Sequence, residues 1–421
     1  MNSRVPAPGP HFYLRTCVLA LLFSITAVLP AQEREVGFGI TCSTQGTDTL
    51  SFMSAPASVL NGSAQQFSTF IFDFGDEVPV EARDAMIFAG EVWGSYLESE
   101  VPIRVSVDWA ERDNPNTLAS AGPATLFRDF PGVLPDTWYP VALAEAVAGR
   151  PLNDDDEPDI NIIANSEASW YFPTDGNVPR NRIDLTSVIL HELGHGLGFL
   201  SSVDSVSPTT VQVGFSGRTI VYDEFIETPL EERIVDPGIF ASPSEELLDA
   251  VINSLVFGGP EAQSRNGGRP VPLFAPETFD IGSSVSHLDE RAYPPGNENS
   301  LMTPFIRAGE AIHDPGPVTL GIFADLGWPI RFELVSVREP VFEHITVFPN
   351  PVRNSFVVSL ADLDDPREAL LYGPDGRVAL RADVRGARGK VRIGVGGLAP
   401  GVYTLWVAGR ERGVRSRVMV W

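Results

Sequence analysis

Between residues 78 and 99 the chain reads "VPVEARDAMIFAGEVWGSYLES", with Ala82, Ala85, Met86, Ala89, Val92 and Tyr96 at three- and four-residue steps. That spacing predicts an amphipathic helix, opened by Pro79. "IRVSVDW", 103–109, alternates apolar and polar positions as a strand does, and "DINIIAN", 159–165, is a second strand. Between 182 and 196 the period returns to that of a helix. In "RIDLTSVILHELGHG", Asp184 is a candidate N-cap, Leu185, Val188, Ile189 and Leu193 are the apolar positions, and Gly198 is placed to end the helix in a left-handed turn. "SPSEELLDAVINSL", 242–255, predicts another helix, with Ser242 as cap and Pro243 in the first turn. Helices and strands in this mixture predict an α+β domain over 67–330. Residues 32–66 carry weak signals, read as a short pro-region or a first strand. After a linker at 331–344 the pattern changes to short alternating runs, among them "SFVVSL", "KVRIGV" and "GVYTLWV", separated by turns. Six or seven such strands within 345–421 predict a small β-sandwich.

Composition narrows the functional classes. Of 421 residues 43% are hydrophobic, which fits a globular chain. The net charge of −25 argues against a nucleic-acid partner, whose phosphates require a basic footprint. The acidity belongs to the larger N-terminal part, because residues 340–421 carry 12 Arg and Lys against 8 Asp and Glu. At the start, Arg4 and Arg15 precede an apolar run from Cys17 to Leu29, too short to span a bilayer and followed by Ala31-Gln32. That is the form of a secretory signal peptide over 1–31. No later stretch reads as a transmembrane segment, so an exported chain is expected. Cys17 would leave with the signal, and Cys42 has no partner in the chain for a disulfide. A thiolate is a zinc ligand, so Cys42 could cap a metal in a latent form, or it is an ordinary buried thiol. The acidic loop "NDDDEP", 153–158, could hold calcium but lacks full EF-hand spacing.

The chemistry concentrates in "HELGHGLGFLSS", 191–202. Residues four apart share a helix face, so His191 and His195 can offer two imidazoles to one metal ion. Glu192 follows the first ligand and flanks the metal without binding it, as a general base for an attacking water must. Zinc would lower the pKa of that water to about 7 and polarise a scissile carbonyl. A catalytic zinc usually takes three protein ligands, and in one common pattern the third is a histidine three residues after the glycine. Here that position is Ser201. The remaining candidates are Glu224 and Glu227 in "VYDEFIE", and His287, His313 and His344. "TIVYDEFIETP" reads as strand and turn rather than as a second ligand-bearing helix.

His287 stands in "SSVSHLDERAYPPGNENSLMTPF", fifteen residues before Met302, with Pro304 after it. Together with H-E-x-x-H-x-x-G-F, this order resembles the leishmanolysin-type metzincins, in which an inserted segment separates the motif helix from the third histidine and the Met-turn. The resemblance covers roughly 70–330. It implies a metzincin-like zinc endopeptidase acting on proteins or peptides, with His191, His195 and His287 as ligands, Glu192 as base and Met302 with Pro304 beneath the metal. The excursion from Phe199 to Ser286, within the insertion 199–286, would then bring His287 back to the site. "IFADLGW", 322–328, is similar to that family's closing helix. Few or no cysteines in the insertion depart from the disulfide-rich protozoan members. Trp170 and Tyr171 are expected along the cleft wall or in the core.

"VFPNPVRNSFVVSL", "LYGPDGRVAL" and "GLAPGVYTLWV" resemble, in order, the C-terminal sorting domain of the type IX secretion system of Bacteroidota, with Arg417 where that family usually has a lysine. The resemblance implies delivery to the cell surface or the medium through that machinery. A surface adhesin with a structural zinc site is the non-enzymatic alternative, although a structural site has no use for Glu192. Protein recovered from the culture medium should have lost about 31 N-terminal residues, and an intact-mass measurement showing Met1 still present would refute the leader.

Overall fold

The computed structural model describes residues 33–44, 51–332, 341–344, 347–360, 366, 368–373, 378–387, 389–408 and 412–421, so the leader and most of the linker lie outside the described residues. Apolar side chains gather in two separate cores, one drawn from residues 42–328 and one from 347–420. Helices and strands mix throughout, in several small sheets and one larger one.

The larger sheet has six strands, in the spatial order 305–306, 40–44, 117–123, 160–165, 103–110 and 70–74. Phe70–Phe74, Ile103–Ala110 and Ile160–Asn165 run parallel, with Thr117–Pro123 antiparallel to the last of them. Alternation decides the faces, as the sequence pattern predicts. Ile103, Val105 and Val107 point into the core, as do Ile160, Ile162 and Ala164. The helix Val80–Tyr96 connects the first two parallel strands and buries Ala82, Ala85, Met86, Ala89, Val92 and Tyr96, the stripe read from the sequence.

The motif helix, Leu185–Leu197, is buried along its whole length. Two tryptophans from other elements serve its carbonyls: the Trp93 indole N–H donates to Leu190 O and that of Trp328 to Leu197 O, both at 2.9 Å. The second bond satisfies one of the last-turn carbonyls that a helix leaves without an internal partner. Asp184 caps the other end, accepting from the Ser187 amide at 2.8 Å. Gly198 ends the helix with φ +127°. The closing helix spans Gly316–Leu326, with left-handed Gly327 as its C-cap.

Two local expectations are corrected, and a third leaves one of its two alternatives standing. The predicted helix at 242–255 covers only Glu245–Val251 and is capped by Ser244, whose oxygen accepts from Leu247 N. Ser244 N pairs with Val211 O and Ser242 Oγ accepts from Val213 N, so the chain stays extended through 244 before it can turn. Val221–Phe225 forms a 3-10 helix rather than a strand, tightened by Asp223 accepting from its own Ile220 N. For 32–66 the strand alternative is found: Ile40–Thr44 lies between two strands of the main sheet and Glu33–Val36 pairs with Thr125–Arg128.

The second core belongs to a β-sandwich. A five-stranded sheet, in the order 341–344, 412–420, 401–408, 368–372 and 378–383, faces a three-stranded one of 347–348, 355–359 and 390–394. Phe356, Val358 and Ile393 from the small sheet meet Leu371, Leu405, Val407 and Val418 from the large one. The first strand begins at Val341, inside the expected linker, and carries His344 in its pairing with the last.

Candidate metal centre

One turn of the motif helix separates His191 from His195, so both rings emerge on one face, and His287 arrives from the far end of the 199–286 excursion. The three Nε2 atoms lie 2.9, 3.2 and 3.3 Å from one another. Each ring is oriented by a main-chain carbonyl at its other nitrogen: His191 Nδ1 to Leu301 O at 2.7 Å, His195 Nδ1 to Phe199 O at 2.6 Å, and His287 Nδ1 to Ser283 O at 2.8 Å. A carbonyl can only accept, so the proton of each neutral ring sits on Nδ1 and each Nε2 presents a lone pair. Burial holds all three rings neutral, pushing His191 down to about 4, His287 down to about 3 and His195 well below the ordinary range.

Three buried lone pairs aimed at one point cannot hydrogen-bond one another. Two of their separations, 3.2 and 3.3 Å, match the edges of a tetrahedron with N–metal bonds of about 2.0–2.1 Å, and the third, 2.9 Å, is somewhat shorter. The donor set therefore fits a zinc ion. Among the described residues, the groups of at least three side chains able to share a metal are these histidines and a neighbouring set of Cys42, His191 and Glu192. The acidic side chains of 153–158 form no such group, and Glu157 instead pairs with Arg34 at 2.7 Å.

Glu192 is fully buried, and neither carboxylate oxygen has a hydrogen-bond partner. Burial pushes its pKa far up, against a weaker pull from the Arg112 charge and the Cys42 amide. A buried acid beside metal-competent His191, touched only by a weak pull from a main-chain amide and a distant arginine, is suited to exchanging a proton. Cys42 is buried and free, its thiol pushed up by burial and then by nearby carboxylates, and it stands beside Glu192 rather than among the three histidines.

Met302 is fully buried, and its turn is tied to the site at both sides: Leu301 O orients His191, and Met302 O accepts from Leu288 N at 2.8 Å, next to His287. A Cβ at Gly194 would stand 2.7 Å from Met302 Sδ. Gly194, a poor helix former, thus lets the helix settle onto this turn. Pro304 is buried just after it.

The other candidates lie elsewhere. Glu224 accepts from Thr219 Oγ1 and pairs with Arg233, and Glu227 lies against Gly258. His313 bonds Asp184 Oδ2 at 2.7 Å, beneath the cap of the motif helix, where Ile312 N also donates to Ser187 Oγ. Trp170 packs by Trp109 and donates to Asn165 O, while the Tyr171 hydroxyl donates to Asp175. Both brace the 165–175 loop.

Ser201 has a different task from the one its position suggested. Its amide donates to Ser286 Oγ at 3.0 Å, pinning the residue before His287, and its hydroxyl donates to Asp223 at 2.6 Å. Asp223 also accepts from Ser202, so one buried carboxylate clamps the chain leaving the motif helix onto the excursion. Val285 has φ +71°, strained for a β-branched residue and costing on the order of 1–3 kcal/mol, and Tyr222 holds its carbonyl. Sequence reasoning missed Ser286, Asp223 and Val285. Their role is defined by where the excursion returns, and the paired serines at 201–202 were the only trace of it.

A family model described as SPBPB7E8-like matches residues 139–217, a stretch that includes the motif helix. No curated protein and no solved structure matches the chain. No helix among the described residues is long and apolar enough to cross a membrane.

Burial raises the pKa of Asp223 from 3.8 to about 6, against the pull of its serine and amide donors. The protonated form is favoured in the fold, so this contribution is present below about pH 4 and fades as pH rises through 6, by at most about 3 kcal/mol. Relative to Asp223→Asn, the parent chain should lose stability between pH 4 and 7 and stay level above. A pH-independent difference in melting temperature would contradict this.

Proposed function

We propose that the chain is a zinc-dependent endopeptidase of the leishmanolysin-like metzincin type, exported and either released or held at the cell surface, with the C-terminal sandwich as its secretion address. The observation that carries the reading is the convergence of three Nε2 lone pairs beside an unpartnered, buried Glu192. The order of elements supports it: a motif helix broken at Gly198, an excursion, a third histidine, and then a buried methionine turn under the helix.

A zinc ion held by His191, His195 and His287 would polarise a peptide carbonyl and bring a water molecule's pKa down to about 7. Glu192, one residue from the first ligand, would take the proton from the attacking water as its carboxylate and pass it to the departing amine. The three main-chain carbonyls that fix the imidazoles keep each ring in the tautomer whose Nε2 can donate electrons. Met302 and Gly194 give the centre a dry, closely packed floor. The substrates are proteins or peptides, and the secretion machinery is the second partner.

Glu192→Gln should keep its zinc while peptide cleavage falls by on the order of a thousandfold, since a positioned base contributes about 10²–10⁴. Undiminished cleavage would place the chemistry elsewhere. If neither parent nor variant cleaves any peptide although both hold zinc, the adhesin with a structural metal is the better reading.

His287→Ala should weaken zinc binding by more than about a hundredfold, because even partners outside the ligand set cost 10–100-fold. Ser201→Ala and Glu224→Ala should retain the metal. Metal analysis after dialysis decides, and a zinc-replete His287→Ala chain would exclude His287 as the third ligand.

A further inference from the structure

The loop near the start of the C-terminal sandwich is fixed to the strand that closes it. Val352 N donates to Met419 O at 2.7 Å, and Trp421 N donates to Val352 O at 3.0 Å. The Asn350 side chain holds the same strand twice: its amide donates to Arg417 O at 2.7 Å and its oxygen accepts from Met419 N at 2.8 Å. At the other end of the loop Asn354 O accepts from Val395 N at 2.8 Å, which ties it to the small sheet. A groove of about 570 Å³ lies at this junction, lined by Arg353, Asn354, Ser355, Arg392, Trp421 and two prolines. Its size falls within the range of about 300–1,000 Å³ common for small-ligand sites. Sheet register explains how Arg392 comes to it. Phe356 and Ile393, directly opposite each other, point into the core, so the next pair, Val357 and Arg392, points out.

What the groove offers is one-sided. No acidic side chain lines it, and among the described residues the side chains of Arg353, Asn354, Ser355 and Arg392 have no hydrogen-bond or ion-pair partner. Arg385 of the same sandwich, by contrast, pairs with Asp383 at 2.7 Å. A guanidinium can only donate, and its planar fork matches the two oxygens of a carboxylate or phosphate. Trp421 is 66% exposed, which leaves a large flat apolar surface without a packing partner. An occupant must therefore bring acceptors, negative charge and a ring face. An extended peptide fits less well, because strand addition needs free main-chain groups, and the amides of Val352, Met419 and Trp421 are already bonded.

We propose that this groove binds a saccharide carrying carboxylate or phosphate groups. Arg353 and Arg392 take the oxyanions, Asn354 and Ser355 take ring hydroxyls, and Trp421 stacks on a ring face. None of the metal-centre residues is involved, so the site does not depend on the endopeptidase reading.

Calorimetric titration of the full chain tests this. The ligands are a galacturonic acid tetramer and mannose 6-phosphate, compared with the neutral galactose tetramer, inorganic phosphate, a glutamate hexapeptide and vesicles containing phosphatidylglycerol. An anionic sugar should bind at least about tenfold more tightly than any comparator, and added salt should weaken it. Arg353→Gln and Arg392→Gln should each cost about tenfold or more, the effect of losing a charged hydrogen bond. Arg392→Lys should restore only part, since an ammonium is a point charge without a fork. Both arginines are exposed, so the melting temperature should stay at the parent value and show that these variants fold. Equal binding of the neutral tetramer overturns the proposal, as does parent-like affinity in the double Gln variant. Phosphate binding as tightly as the sugars would mark a simple anion site, and preference for the hexapeptide or the vesicles would mark a protein or membrane partner. Either result overturns the saccharide, and so does the absence of binding by every ligand.

Discussion

Three hydrogen bonds from imidazole Nδ1 to main-chain carbonyls carry this site. Without them each ring could turn, or place its proton on Nε2, and the three nitrogens would have no reason to meet. With them, the carbonyls of Leu301, Phe199 and Ser283 fix both tautomer and direction. Those carbonyls come from three separate stretches of chain: the methionine turn, the exit of the motif helix and the end of the excursion. Folding must therefore be complete in all three before the donor set exists.

The surrounding packing serves that requirement. Glycine at 194 allows the helix to approach Met302, and the Trp328 indole N–H takes up the Leu197 carbonyl, which the end of the helix leaves without an internal partner. Asp223 joins the helix exit to the excursion, and strain at Val285 is held in place by neighbours on both sides. A site assembled this tightly is also hard to enter.

Much of the local structure was legible in the sequence. The stripe in 80–96, the alternation at 103–110, the cap at Asp184 and the break at Gly198 all follow from period and residue type, and all are found. The helix at 242–255 was overread, because a Ser-Pro start is a cap signal only where the chain is free to turn, and here pairing with Val211 keeps it extended. The 33–44 segment gave only a weak strand signal, since its two short strands are of mixed polarity and are held by the sheet that closes on them.

What the sequence determined by itself was the pair His191 and His195 with Glu192 between them, because helical spacing is a local property and fixes which side chains share a face. It also determined two separate apolar cores and the order of elements around the motif. Only the tertiary structure decided that His287 meets this pair, while Glu224, Glu227 and His313 lie elsewhere. It also decided that Ser201 braces the returning chain, and that Ile40–Thr44 joins the main sheet with Cys42 beside His191 and Glu192. Each of these depends on where a chain returns after tens of residues, and that is set by the packing of whole elements, which no local spacing records.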